Sequence, residues 1–406
     1  MDIEVVCHPP LTVRQKKRQP ARPLPAALLV FRLWQLLVVL SSCPVSKERG
    51  GSFFSRMAAV EQVAAVGRVL VNPGLDLTRR FRALFTLRNL GGSEAIEWIS
   101  KAFTDDSALL KHELAYCLGQ MQDTRAIPVL TAVLKDTKQE PMVRHEAGPS
   151  THCMQVQLIC LTQHRVPVFR AWMNMRGNEA MSGLCCILSV GEALGAIGDS
   201  AVVDLLKEYS LDPVIEVAET CQLAVRRLEW LLSGGETQLE DGSIDNNPYC
   251  SVDPAPPAPR MSVPELRSVL LDESLPLFER YRAMFALRNL GTEEAVVALG
   301  DGLQCSSALF RHEIGYVLGQ MQHPAAIPAL RAALERSKEN PMVRHEAAEA
   351  LGSIGKEECL AVLQSHLRDQ ERVVKESCEV ALDMLEYENS DKFQYADGLV
   401  SLQDSL

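Results

Sequence analysis

Residues 107–122 read SALLKHELAYCLGQMQ, and residues 307–322 read SALFRHEIGYVLGQMQ. A second stretch behaves the same way: EPMVRHEA at 140–147 returns as NPMVRHEA at 340–347. The chain is therefore duplicated at an offset of 200 residues. Within each copy a His-Glu dipeptide occurs twice, 33 residues apart: His112-Glu113 and His145-Glu146, then His312-Glu313 and His345-Glu346.

A shorter period runs inside the duplication. In the second copy, Arg280, Arg311, Arg344 and Lys375 mark successive units at steps of 31, 33 and 31 residues. The first three open the apolar stripes AMFALRNLG, IGYVLGQMQ and AAEALGSIG. Apolar residues at i, i+3, i+4 and i+7, with glycine at or near the close, predict helices with glycine at the C-terminal cap. Short preceding segments such as Ala326-Ile327-Pro328 start a partner helix, proline being tolerated in a first turn. Each unit is thus an αα-hairpin, and hairpins at a fixed period stack into a solenoid. The expected fold is all-α, an α-solenoid of compact HEAT-like repeats in two four-repeat halves. The units of the first half begin at Arg80, Lys111, Arg144 and Ala218.

The expected organisation is an extension over 1–56, a first half over 57–232, a linker over 233–262, a second half over 263–390 and a tail over 391–406. Residues 233–262 are rich in Gly, Asp, Asn and Pro, including PAPPAP, and read as an exposed flexible strap. A 43-residue insertion, 149–191, interrupts the first half: Glu192-Ala193-Leu194-Gly195 matches Glu349-Ala350-Leu351-Gly352 at an offset of 157 instead of 200. The inserted stretch follows no repeat, and an alternatively spliced or retained segment is its simplest origin. Residues 1–56 form a disordered or signal-like extension, with Lys16-Lys17-Arg18 ahead of an apolar run over 24–40. Arg32 interrupts that run, which falls short of a spanning helix. No membrane partner is expected.

With 406 residues and 47 % hydrophobic content the chain has ample material for its cores. The twelve cysteines form no CxxC pair, which argues against a thiolate metal site or a disulfide framework. The net charge is -11. Residues 1–57 carry nine Lys/Arg against three Asp/Glu, so the repeat body is more acidic than the total. Such a body argues against nucleic acid and suits a basic partner.

The His-Glu pairs carry the chemistry. Neighbouring solenoid helices pack about 8–10 Å apart, so His112 with His145, and His312 with His345, are within reach of an ion held between them. Adjacent helical residues point about 100° apart, so each glutamate diverges from its own histidine and could turn toward the ion of the opposite half. The donors are nitrogen and oxygen only, which suits Fe, Mn or Zn. Residues 114–117 hold no second histidine, so this is not the HExxH zinc-hydrolase helix. A purely structural role is the competing account, with glutamate favouring the helix N-terminus and histidine filling a groove. The pairs occur only in the second and third units of each half, while the outer units at Arg80, Ala218, Arg280 and Lys375 lack them. They are placed, not generic.

In these motifs, and in the late segment FQYADGL at 393–399, the chain resembles the deoxyhypusine hydroxylases, HEAT-like di-iron monooxygenases. The resemblance covers residues 57–148 and 192–398. It implies dioxygen-dependent hydroxylation of the deoxyhypusine side chain of a translation initiation factor, completing hypusine. It implies two Fe(2+) ions per chain, held by His112, Glu113, His145, Glu146, His312, Glu313, His345 and Glu346, with some glutamates serving the substrate amines instead. The expected location is the cytoplasm. The insertion departs from the family pattern: Gly148-Pro149 is expected to end the helix just after His145-Glu146, weakening the first-half site. The rival class is a non-catalytic HEAT-like scaffold that binds a basic protein, with a zinc hydrolase on the same ligands as a further option.

Overall fold

The structure is a computed structural model and describes residues 53–146, 202–233, 248–249, 251, 253–392 and 394–399. All of them belong to one compact unit, Phe53–Leu406. The proposed insertion and residues 1–52 lie outside the described residues.

The described residues build helices and no strand. In the first half the hairpins are α1 (Phe53–Leu70) with α2 (Leu77–Leu90), α3 (Gly92–Lys101) with α4 (Ala108–Gln120), α5 (Ile127–Lys135) with α6 (Pro141–Glu146), and α7 (Val203–Tyr209) with α8 (Ile215–Leu232). In the second half they are α9 (Val263–Leu271) with α10 (Leu277–Leu290), α11 (Glu293–Asp301) with α12 (Ala308–Met321), α13 (Ile327–Glu335) with α14 (Pro341–Ile354), and α15 (Glu357–His366) with α16 (Arg372–Glu388). The all-α, two-half HEAT-like solenoid read from the sequence is the fold observed. Helix α1 starts at Phe53, upstream of the boundary expected at Met57. Residues 53–56, FFSR, contain no breaker, so the helix extends through them.

Local chemistry sets the ends. Ser107 Oγ accepts from the Leu110 N–H at 3.0 Å, and Ser307 Oγ from the Phe310 N–H at 3.1 Å, so both His-Glu helices carry the same N-cap. Gly291 and Gly355 close α10 and α14 in the left-handed conformation, at φ 64° and 67°. The repeated arginines fasten each hairpin. Arg80, Arg144, Arg280 and Arg344 each donate through Nε to a carbonyl ten residues earlier, at the end of the partner helix.

The even-numbered helices form the inner layer, and this layer closes on itself. Each packs on the next, from α2 to α16, and α16 packs back on α2. Matching contacts close the two junctions. Ser107 Oγ donates to Glu376 Oε2 at 2.7 Å, and Ser307 Oγ donates to Glu219 Oε2 at 2.7 Å.

The linker departs from its expected exposure. Ala255 is fully buried in the second-half core, and the Ala258 N–H donates to the Arg282 carbonyl at 2.8 Å. Proline removes donors, so a Pro-rich segment lies against helices without leaving N–H groups unpaired. Beyond α16, Tyr395 is buried under the Arg82 guanidinium, 4.3 Å from its ring centre. Arg82 also holds Asp383 at 2.8 Å and Asp397 at 3.0 Å, so the segment 394–399 folds onto the first repeat. No helix among the described residues is long and apolar enough to cross a membrane.

Candidate metal centre

Helices α4, α12 and α14 bring three histidines together from both halves. The ring centres of His112 and His345 are 5.0 Å apart, those of His312 and His345 5.2 Å, and those of His112 and His312 6.0 Å. One ligand nitrogen from each lies within 4.8 Å of the others, and all three rings are fully buried. Metal–nitrogen bonds of about 2.1 Å span such a gap after small side-chain adjustments.

Carboxylates surround the imidazoles. Glu113 Oε1 lies 3.3 Å from His112 Nδ1, Glu313 Oε1 3.5 Å from His312 Nδ1, and Glu346 Oε2 3.4 Å from His312 Nε2. Glu349 Oε1 lies 3.7 Å from His345 Nδ1, one turn along the same helix. Close packing of the inner layer allows this: a Cβ at Gly315 on α12 would stand 3.2 Å from Glu346 Cγ.

The electrostatics are those of a cation site. Glu113 is held well above the usual carboxylate range, first by burial and then by the charges of Glu349 and Glu346, with Arg88 pulling the other way. Glu346 is raised likewise by burial, Glu349 and Glu313. Uncompensated buried carboxylates are costly, and a bound cation inverts that balance. Both ring nitrogens of His345 are buried without a hydrogen-bond partner among the described residues. Buried imidazole nitrogens are ordinarily satisfied. Three imidazoles beside four carboxylates form a donor set that fits a borderline or hard metal ion.

Six of the eight expected ligands are therefore brought together: His112, Glu113, His312, Glu313, His345 and Glu346. The backbone of His145 and Glu146 ends the described part of α6, and their side chains lie outside the described residues. His112 of the first half meets the two second-half histidines directly. Glu346 lies beside His312 of its own half, where Gly315 leaves room for it, and also acts on the charge of Glu113.

The HEAT repeats family matches residues 76–148 and 296–383, and the PBS lyase HEAT-like repeat matches 279–305. A deoxyhypusine hydroxylase of Danio rerio is 67 % identical over 349 residues, covering 86 % of this chain and 100 % of the relative. The deoxyhypusine hydroxylase of Homo sapiens is 60 % identical over 347 residues, covering 86 % and 99 %. The chain belongs to the deoxyhypusine hydroxylase family. The solved structure of human deoxyhypusine hydroxylase in complex with glycerol superimposes with a TM-score of 0.68 at 60 % identity, covering 82 % of this chain and 98 % of that one. Membership of the deoxyhypusine hydroxylase family makes the chain an oxidoreductase and sets aside the non-catalytic scaffold.

Sequence reasoning missed Glu349. It is 1 % exposed and acts electrostatically on both Glu113 and Glu346. The signal was available in HEAAE, where Glu349 stands four residues after His345 and so on the same helical face. Its first-half counterpart is Glu192, which lies outside the described residues. Arg88, facing Glu113 from α2, was missed as well; nothing in its neighbourhood RNLG distinguished it from a repeat-packing arginine.

Proposed function

We propose that this chain hydroxylates the deoxyhypusine side chain of a translation initiation factor to form hypusine, using dioxygen and two Fe(2+) ions. One observation carries the reading: His112 of the first half meets His312 and His345 of the second in a buried, carboxylate-lined cluster. Hydroxylation of an unactivated CH₂ requires an oxidant that no side chain supplies, and iron provides dioxygen activation when bound. The eight-residue set His112, Glu113, His145, Glu146, His312, Glu313, His345 and Glu346 would hold the ions and the substrate amines.

The chain's own residues do the positioning. Glu113 and Glu313 lie against the Nδ1 side of His112 and His312, at 3.3 and 3.5 Å, and orient the two rings. The carboxylate surplus favours a polyamine-like side chain over a neutral one, and an acidic body steers a basic partner toward it. Full burial of the rings keeps bulk water from the reacting centre. The same reading has the reaction occur in the cytoplasm, with no nucleic-acid or membrane partner.

The test is metal analysis and an absorption spectrum of the purified chain, beside an assay on the deoxyhypusine-bearing factor with and without oxygen. Iron and oxygen-dependent hydroxylation are expected, with both falling at least tenfold in His345→Ala. A zinc-loaded protein active without oxygen would overturn the reading, as would a chain that takes up no metal.

A further inference from the structure

The internal duplication supplies a reference for the outer layer, where the two halves differ in how their first two outer helices meet. In the first half an indole fills the space between α1 and α3. Trp98 of α3 is half-buried against the core and rests on Gly67 of α1, where an added Cβ would stand 2.2 Å from its ring. Lys101 Nζ lies 4.4 Å from the centre of the same ring. The 200-residue offset makes Arg267, Ala298 and Asp301 the counterparts of Gly67, Trp98 and Lys101.

With no indole to fill it, a groove of about 520 Å³ runs between α9 and α11. Val263, Pro264, Val297 and Ala298 give it an apolar lining. Arg267 Nε donates to Asp301 Oδ2 at 2.7 Å in its wall, and Glu293 and Glu294 of the first turn of α11 add two more carboxylates. Val297 is 53 % exposed, whereas the first half carries the exposed Glu97 at that position. Valine forms helix less readily than glutamate, so neither helix propensity nor solubility accounts for it on an outward turn. An exposed apolar residue continuous with an apolar groove and rimmed by charge marks an interaction surface.

We propose that the α9–α11 groove docks a basic segment of a partner protein through an aromatic side chain, doing between two polypeptides what Trp98 and Lys101 do within the first half. The ring of the partner packs on Val263, Val297 and Ala298, and a lysine or arginine one turn away meets the carboxylates. Three carboxylates against one guanidinium set the sign of the partner's charge. Small-molecule sites enclose most of their ligand, whereas a groove walled by two helices suits a segment that lies along it. The groove belongs to the outer helices and shares no residue with the metal centre, so the proposal is independent of the hydroxylase reading. Its readout is binding and requires no metal or turnover.

The probe is a fluorescein-labelled peptide, AKAAWAAKAAKA, which spaces its tryptophan and lysine as Trp98 and Lys101 are spaced. Its anisotropy is followed as the full chain is titrated in. Saturable binding is expected, weakened at least tenfold by Val297→Glu, by the paired change Glu293→Lys and Glu294→Lys, and by alanine in place of the peptide's tryptophan. Glu97→Lys, on the matching face of the first half, is expected to leave the affinity unchanged. Absence of saturable binding would overturn the proposal, and so would unaltered affinity of the Val297→Glu chain. An equal loss in the Glu97→Lys chain would also overturn it, by reducing the binding to general attraction toward an acidic body. If Val297→Glu fails to fold by thermal melting, the tryptophan and alanine peptides on the unaltered chain decide: equal affinity sinks the site.

Discussion

At the scale of single residues, the metal centre depends on groups that orient other groups. Glu349 illustrates this, lying 3.7 Å from His345 Nδ1 with almost no exposure. Carboxylates behind metal-ligating histidines typically change metal affinity about 10–100-fold when removed. Glu349→Gln is therefore expected to lower metal affinity within that range, read by competition with a chelator, while the helix content stays unchanged. Unaltered affinity would reduce Glu349 to a packing residue. Legibility at this scale was uneven. The four His-Glu pairs stood out because duplication repeats them, whereas Glu349 carries only the weaker signal of its spacing four residues after His345.

At the scale of elements, close helix packing and helix continuity govern the site. Gly352 on α14 faces α16 so closely that a Cβ would stand 2.5 Å from the Ala381 carbonyl oxygen. Gly352→Ala is expected to destabilise the protein by about 1–3 kcal/mol, the usual range for overpacking, measured as a shift of the denaturation midpoint. The first-half counterpart of α14 offers a second test. The described part of α6 comprises Pro141–Glu146, against Pro341–Ile354 for α14. Deleting residues 149–191 should restore an uninterrupted helix after His145-Glu146 and raise the metal bound per chain. Equal metal with and without the segment would show that the first-half ligands do not depend on that continuity.

At the scale of the whole molecule, the inner layer is a closed ring, so ring stability follows the junction chemistry and the buried charges. Ser307→Ala removes both an N-cap and a bond to Glu219, and a loss of about 0.5–2 kcal/mol is expected in thermal melts. Glu388, near the end of α16, is pushed up to about 7 by burial, its carboxyl accepting from Gln322 Nε2 at 3.2 Å. The folded state holds this proton where the unfolded chain, near the ordinary 4.5, has released it. Stability therefore falls as pH rises through that window and is lowest above about 7. Glu388→Gln is expected to flatten this slope, so that the variant gains over the parent at pH 8 and not at pH 4. Melting curves at the two values decide.

The sequence by itself determined the helical repeats, their pairing into two halves and the placement of the His-Glu pairs, because helical periodicity and duplication are local patterns written in residue order. Tertiary structure alone decided that the solenoid closes into a ring, that the proline-rich strap packs through Ala255 and Asp253, and that His112 joins His312 and His345. Those outcomes depend on how far each hairpin turns relative to the last. That rotation is set by side-chain volumes across interfaces between distant residues, which no single stretch of chain contains.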